Sequence, residues 1–330
     1  MSVPMSVLDL APIAPGSSPA ESIKASVALA QQAERHGYRR VWYAEHHSMA
    51  TIASSAPSVL IAHVAAHTDT IRLGAGGVML PNHVPLVIAE QYGTLETMHP
   101  GRIDLGLGRA PGSDPRTMRA LRRDHASADS FPDDVRELRA FLGESSPIPG
   151  VQAVPGAGTD IPLYILGSSM HSAHLAAALG LPYVFASHFA PQLLTRAIDT
   201  YRREFQSSAQ LDHPYVIAGV NVVAAESGEA ARAIVQHNRR TLARGLVEKE
   251  QGVSLSDREV DALIERGAVR QFDAMFTYTA VGEAAEVAAY LTWFQGLSGA
   301  DELITAHQAP DLDQRLASLE LAAHWGSPRS

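Results

Sequence analysis

The chain contains no cysteine. Disulfides, thiolate metal sites and a thiol nucleophile are therefore excluded, and any redox chemistry must come from a cofactor. There is no surplus of positive charge. The formal net charge is -9, which argues against nucleic acid and anionic membrane as partners. The first residues lack the basic, then apolar, then small-residue order of a signal peptide. Residues 161–195 carry no Asp, Glu, Lys or Arg. Pro162, Gly167, Gly180 and Pro182 interrupt them, so they read as two buried strands and a helix, not a membrane span. No short repeat and no inter-domain linker is visible. No Gly-x-Gly-x-x-Gly follows the first strand, so a Rossmann site is unsupported. The expectation is a soluble cytoplasmic protein with one domain over residues 1–330.

What is present is 46% hydrophobic residues in 330, enough for a large core, arranged in alternating strand and helix patterns. Residues 71–109 set the plan. Ile71 to Ala75 reads as a strand ending in Gly76-Gly77, then a helix over Pro85 to Met98, then a strand over Arg102 to Leu107 ending in Gly108-Arg109. Two successive parallel strands that open at their carboxyl ends describe the ligand face of an α/β fold. Other strands are expected at Met5–Leu10, Arg39–Ala44, Leu163–Leu166, Tyr183–Ala186, Tyr215–Ala224 and Glu302–Ala306. Ser18, Pro19 and Glu21 form a capping box for the first helix. Residues 144–160, rich in Pro and Gly, suggest a small hairpin. Residues 245–280 read as a polar helical insertion. Eight strands each followed by helix predict a (β/α)8 TIM barrel with an insertion before the last strand. A doubly wound sheet is the alternative.

Five strand ends carry unusual residues: Glu45-His46-His47, Ala75-Gly76-Gly77, Gly108-Arg109, Gly167-Ser168-Ser169 and Ser187-His188. In a barrel these share the face where active sites occur. The Gly167-Ser168-Ser169 turn, with Ser172 one turn on, suits an anion at a helix start. Ordinary N-capping by Ser168 or Ser169 explains the same pattern. Arg109 sits at a strand end and adds a charge-assisted bond to such an anion. Arg116, Arg119, Arg122 and Arg123 read instead as a solvated helix face. His46 and His47 point opposite ways on an extended backbone, so one faces the mouth, as proton carrier or as structural group. Zinc needs more ligands, and no histidine spacing is diagnostic.

Three segments resemble the bacterial luciferase-like monooxygenases: Trp42-Tyr43-Ala44-Glu45-His46-His47, Ile71 to Pro85, and Pro100-Gly101-Arg102-Ile103-Asp104-Leu105-Gly106-Leu107-Gly108-Arg109. The likeness continues through Leu163 to Pro182 and Val281 to Val287, nearly the whole chain in order. Leu8 to Pro12 and Gly76 to His83 are similar to the single-component luciferase-like oxidoreductase branch. The resemblance implies a TIM barrel that uses reduced FMN at the carboxyl ends of its strands. It implies His46 as catalytic, a cis peptide at Gly76–Gly77 beneath the flavin with Ala75 beside it, and Gly167, Ser168, Ser169, Ser172 and Arg109 around the phosphate. Gly108 stands where luciferases carry a reactive cysteine, so light emission and a long-chain aldehyde are not implied.

The expected function is an FMN-dependent monooxygenase that uses dioxygen to oxidise a small apolar substrate. Reduced flavin would come from a separate reductase or from reduced nicotinamide, and the chain would form a homodimer. Tyr43, Met49, Met79, Phe189 and Met275 are expected to line the mouth. A deazaflavin-dependent reductase or dehydrogenase on the same barrel, and a non-catalytic flavin-binding protein, are the competing readings.

Overall fold

The computed structural model describes residues 2–110, 114–251 and 255–325. Residues 111–113, between Arg109 and the expected arginine-bearing helix face, and 252–254 of the expected insertion lie outside them. Nine parallel strands are described: β1 (Met5–Asp9), β2 (Arg40–Tyr43), β3 (Arg72–Met79), β4 (Ile103–Gly108), β5 (Leu163–Gly167), β6 (Tyr183–Phe185), β7 (Val216–Ala224), β8 (Thr279–Gly282) and β9 (Glu302–His307). The helices are α1 (Pro19–Arg35), α2 (Pro57–Ala65), α3 (Pro85–Met98), α4 (Pro115–Ala120), α5 (Phe131–Leu142), α6 (Met170–Leu179), α7 (Leu194–Glu204), α8 (Gly228–Gln251), α9 (Asp257–Glu265), α10 (Ala284–Ser298) and α11 (Leu312–Ala323). β1 to β7 pair in chain order, β7 pairs with β9, and β9 closes on β1. The result is the expected (β/α)8 barrel. No described helix is long and apolar enough to cross a membrane.

The ninth strand, β8, escaped the sequence reading. It is four residues long and runs parallel to the far half of β7, Asn221 to Ala224, on the edge that β6 has left. So short a run gives no periodic signal. β3 also continues past its glycines to Met79, with a register shift between Ala75 and Val78, where a turn was expected. The Gly76–Gly77 peptide is cis. Residues 144–160 form turns and no hairpin. Gly156 there lies against Gly93 and Ala89 of α3 so closely that no Cβ fits at either glycine. The segment is a coil packed on a helix, with backbone contact in place of strand pairing.

α1 starts as its sequence dictates. Ser18 accepts from the Glu21 amide, and Glu21 accepts from the Ser18 amide at 2.7 Å. The insertion is a small unit of α9 and the turn Arg270–Phe276 against α8. It has its own apolar cluster of Ala243, Val260 and Val269, apart from the main core. Arg240 pairs with Asp261 at 2.6 Å across it. Its end reaches the barrel rim, where Asn221 Nδ2 donates to the Met275 carbonyl at 2.9 Å.

Side chains alternate between barrel interior and helix-facing core, as the two-residue strand period requires. Leu8, Trp42, Tyr164, Val184, Ile217 and Ile304 fill the interior. Tyr43 takes the other parity. It is fully buried in the core between barrel and helices, so it does not line the mouth as expected. Below the apolar layer lies a buried ionic one. Arg40, 1% exposed, donates to Asp104 Oδ2 at 2.8 Å and to the Tyr164 hydroxyl at 2.7 Å, and its Nη2 reaches Glu302 Oε2 at 3.2 Å. Its Nε is 2.9 Å from Glu302 Oε1, close but not aligned for a hydrogen bond. Trp42 Nε1 and Arg72 also donate to Asp104. Arg40→Met would leave two carboxylates short of their shared cation. Breaking one side of a buried pair typically costs about 3–5 kcal/mol. We expect a loss of that size in urea unfolding of Arg40→Met, and a loss under about 1 kcal/mol would show that the layer carries no such weight.

Candidate active site at the carboxyl end of the barrel

The mouth is built from loops after β2, β3, β4, β5, β6 and β7. His46 follows β2. Its amide donates to the Ser54 carbonyl at 3.0 Å, and Ser54 Oγ donates to the Ala44 carbonyl, so the loop is pinned at both ends. The ring is half-buried, and its Nδ1 is buried with no hydrogen-bond partner. Burial lowers the His46 pKa, Glu45 opposes that, and His47 adds to it. The net direction favours neutral imidazole.

His47 turns the other way, as alternation predicts. Its Nε2 lies 2.7 Å from Glu45 Oε1, and His83 Nε2 lies 2.8 Å from the same oxygen. Glu45 Oε2 accepts from the Met79 amide at 3.0 Å. Glu45 is 1% exposed. Burial opposes its ionisation, but the bonds from His83, His47 and Met79 outweigh that and hold the carboxyl below its ordinary value. It ties the β2 loop to the end of β3. Neither it nor His83 was picked as a site residue from sequence. Glu45 lay inside the quoted motif, but its partners are remote in the chain.

At the other glycine-rich ends the space is largely used by protein. A Cβ on Gly76 would stand 2.8 Å from Leu8 Cδ1, and one on Gly77 2.7 Å from the Gly106 carbonyl oxygen. Ala75 is fully buried, with its side chain in the helix-facing core. Only Gly76 of the three is partly exposed to the mouth. Its small size is thus set first by packing, and its open backbone is what remains for a ligand.

After β5, Ser169 is the N-cap of α6. Its Oγ accepts from the Ser172 amide at 3.3 Å, and Ser172 Oγ accepts weakly from the Ser169 amide at 3.4 Å. Ser172 Oγ also reaches the Tyr183 hydroxyl at 3.1 Å, beneath Gly167. Ordinary capping therefore accounts for Ser169 and Ser172. Ser168 makes no side-chain hydrogen bond among the described residues, and it is half-buried. Arg109 is exposed at the end of β4. β4 pairs with β5 as far as Gly108 and Leu166, so the Arg109 and Ser168 loops are neighbours on the rim, and the His171 pKa is lowered by burial and then by Arg109. The structure so brings Arg109, Ser168 and Ser169 to one corner. Arg116, Arg119 and Arg122 are exposed, as expected, while Arg123 donates to the His83 carbonyl at 3.3 Å.

Opposite His46 stands His188, after β6. Burial, and then the nearby His46, push its pKa down to about 4. Met49, Phe189 and Met275 are 45%, 47% and 41% exposed, and Met79 is half-buried. This is an apolar rim around two neutral imidazoles, with a cationic corner at α6. A flavin mononucleotide would fit such a mouth chemically: an anion corner for its phosphate and a bare glycine backbone for its ring, with the unpartnered His46 nitrogen left for the reacting molecules.

In (β/α)8 barrels the active site lies at this carboxyl end of the strands. The chain belongs to the luciferase-like monooxygenase family, whose model matches residues 3–300. It is 48% identical over 325 residues to a luciferase-like monooxygenase of Escherichia coli K12, covering 97% of this chain and 96% of that one. Among solved structures, apo-MsnO8 superposes with a TM-score of 0.88 at 35% identity, covering 99% of this chain and 100% of that one. Two more distant structures share the fold. The oxygenating constituent of a 3,6-diketocamphane monooxygenase of Pseudomonas putida, in complex with FMN, gives a TM-score of 0.73 at 18% identity over 98% and 97% of the two chains. A coenzyme F420-dependent tetrahydromethanopterin reductase of Methanopyrus kandleri gives 0.68 at 16% identity over 98% of each chain.

The Glu45 junction has a pH signature. A carboxyl whose folded pKa lies below its unfolded value of about 4.5 stabilises the fold above that value, and the contribution is lost as pH falls through the folded pKa. Glu45→Gln should therefore lower stability at pH 7 and flatten the acid limb of the stability profile below about pH 4.5. Parallel wild-type and variant profiles would contradict this.

Proposed function

We propose that the protein is an FMN-dependent monooxygenase that spends reduced flavin and dioxygen on a small, mainly apolar organic molecule. The observation that carries this reading is the buried, unpartnered Nδ1 of His46 at the mouth, on a loop pinned so that the ring stays there. An unsatisfied buried nitrogen is costly unless a ligand meets it. Reduced flavin, when bound, supplies the two electrons with which dioxygen is activated. One oxygen atom enters the product and the other leaves as water, so a proton must be moved inside a site shielded from solvent. Neutral His46 holds a proton on one ring nitrogen and accepts at the other, and a depressed pKa keeps it in that form near neutrality.

The other residues bind and exclude. Arg109 with Ser168, Ser169 and the first amides of α6 would hold the FMN phosphate, and the Gly76 backbone would lie beneath the ring. Met49, Phe189 and Met275 give the substrate an apolar rim and keep water out. The reducing equivalents come from a separate reductase or from reduced nicotinamide, and the chain acts as a homodimer.

Two variants separate chemistry from structure. His46→Ala should keep its melting temperature and its FMN affinity, since the proposed phosphate contacts lie on other strands. Product per reduced FMN consumed, on the best substrate from a panel of ketones, aldehydes and sulfides, should fall by roughly 100- to 10,000-fold. His47→Ala breaks a bond to Glu45. It should lower the melting temperature while turnover per bound flavin survives. Equal effects in both variants would sink the assignment of His46. Ser169→Asp puts negative charge at the phosphate corner and should weaken FMN binding by at least about tenfold, a loss near 1.4 kcal/mol. Unchanged affinity would move the phosphate elsewhere.

A further inference from the structure

The mouth holds a second imidazole that the reading above leaves without a task. His188 packs directly over Gly219 of β7, where any Cβ would stand 2.4 Å from its Nδ1. The glycine exists to admit that ring. The main chain at His188 is held by Asn221, 4% exposed, whose Nδ2 donates to the His188 carbonyl at 2.7 Å as well as to Met275. Asn221 Oδ1 accepts from Gln308 Nε2 at 3.2 Å. One amide thus fixes three rim segments: the β6 loop, the end of the insertion and the end of β9. Phe189 stands edge-on to the His188 ring, with centroids 5.2 Å apart and planes at 73°. Among the described residues, neither ring nitrogen of His188 hydrogen-bonds to protein. The ring is seated closely by Gly219 while its nitrogens, partly open to the mouth, make no bond to protein, so they are free to meet a ligand that enters it.

We propose that His188 contacts the flavin ring system from the wall opposite His46, as an uncharged hydrogen-bonding group, and that Asn221 is the residue that positions it. This rests on the flavin reading above. An isoalloxazine edge alternates carbonyl acceptors with N–H and ring nitrogen, and neutral imidazole can meet either kind of atom by choice of tautomer. The inference concerns binding alone and adds no step to the reaction.

The test is equilibrium titration of the full chain with oxidised FMN and, separately, with riboflavin, which has no phosphate. His188→Ala should weaken both probes by about five- to tenfold, the worth of roughly one hydrogen bond. His188→Gln, an uncharged group of similar reach, should restore most of that. Asn221→Asp cannot donate to two carbonyls and sets a carboxylate against them. It should weaken both probes as His188→Ala does, and the double variant should be no weaker than either single one. A merely structural role for Asn221 would give additive losses and a fallen melting temperature without that coupling. Ser169→Asp should weaken FMN and spare riboflavin. Unchanged affinity for riboflavin in His188→Ala overturns the inference, as does equal loss in the Ala and Gln variants. Wild-type protein that binds neither probe overturns the flavin reading, and this inference with it.

Discussion

The barrel depends on one buried cation. Arg40 stands inside the amino-terminal end between Asp104 of β4 and Glu302 of β9, strands on opposite sides of its own. Arg72 gives Asp104 a second cation, and Ser6 donates to Glu302 at 2.5 Å. Burying ions is expensive, and an ionic layer is a poor source of net stability compared with apolar packing. What it supplies is specificity. Four strands must meet in one register for the charges to balance. It also plugs one end, so the barrel can open only at the other.

Above this plug the inward side chains become apolar and then small. Trp42, Leu8 and Ile304 form the apolar layer. Higher on the same inward parity the strands carry Ala44, Gly76, Gly106 and Gly219, whose small size lets neighbours close in, Leu8 at Gly76 and Leu166 at Gly106. The space freed at Gly219 is taken by His188, while Gly76 is left open to the mouth. The same alternation that packs the core thereby sets the depth and lining of the site. Glu45, on the opposite parity from Ala44, ties the rim from outside, which leaves His46 free to face inward.

Much of this was legible in the chain. Short apolar runs ending in small residues located the barrel strands to within a residue or so at most ends, because parallel strands buried on both faces read as continuous apolar runs. Side-chain direction was harder. Tyr43 was expected to line the mouth, but parity sends it to the outer core. The ionic layer was not legible, since Arg40, Asp104 and Glu302 each look like the polar edge of a strand until the barrel closes. β8 was too short to see. Ser169 and Ser172 matched both an anion site and a helix cap; the structure shows the cap, which is compatible with an anion at the same helix start. His188 was noted as one of five unusual strand ends, but its importance came only from Gly219 and Asn221, more than 30 positions away.

The family's fold serves both flavin and deazaflavin chemistry, so the nature of the cofactor and its reaction with oxygen is where the proposed function stands or falls. The most direct measurement is an anaerobic titration of the protein with reduced FMN and with reduced F420, followed by rapid mixing with oxygen while the absorbance is recorded. An FMN monooxygenase should bind reduced FMN one to one. Its reoxidation should pass through a transient spectrum distinct from both reduced and oxidised flavin, and substrate should hasten the decay. Preferential binding of reduced F420, or reoxidation of FMN in a single phase at the rate of free flavin, would contradict the assignment.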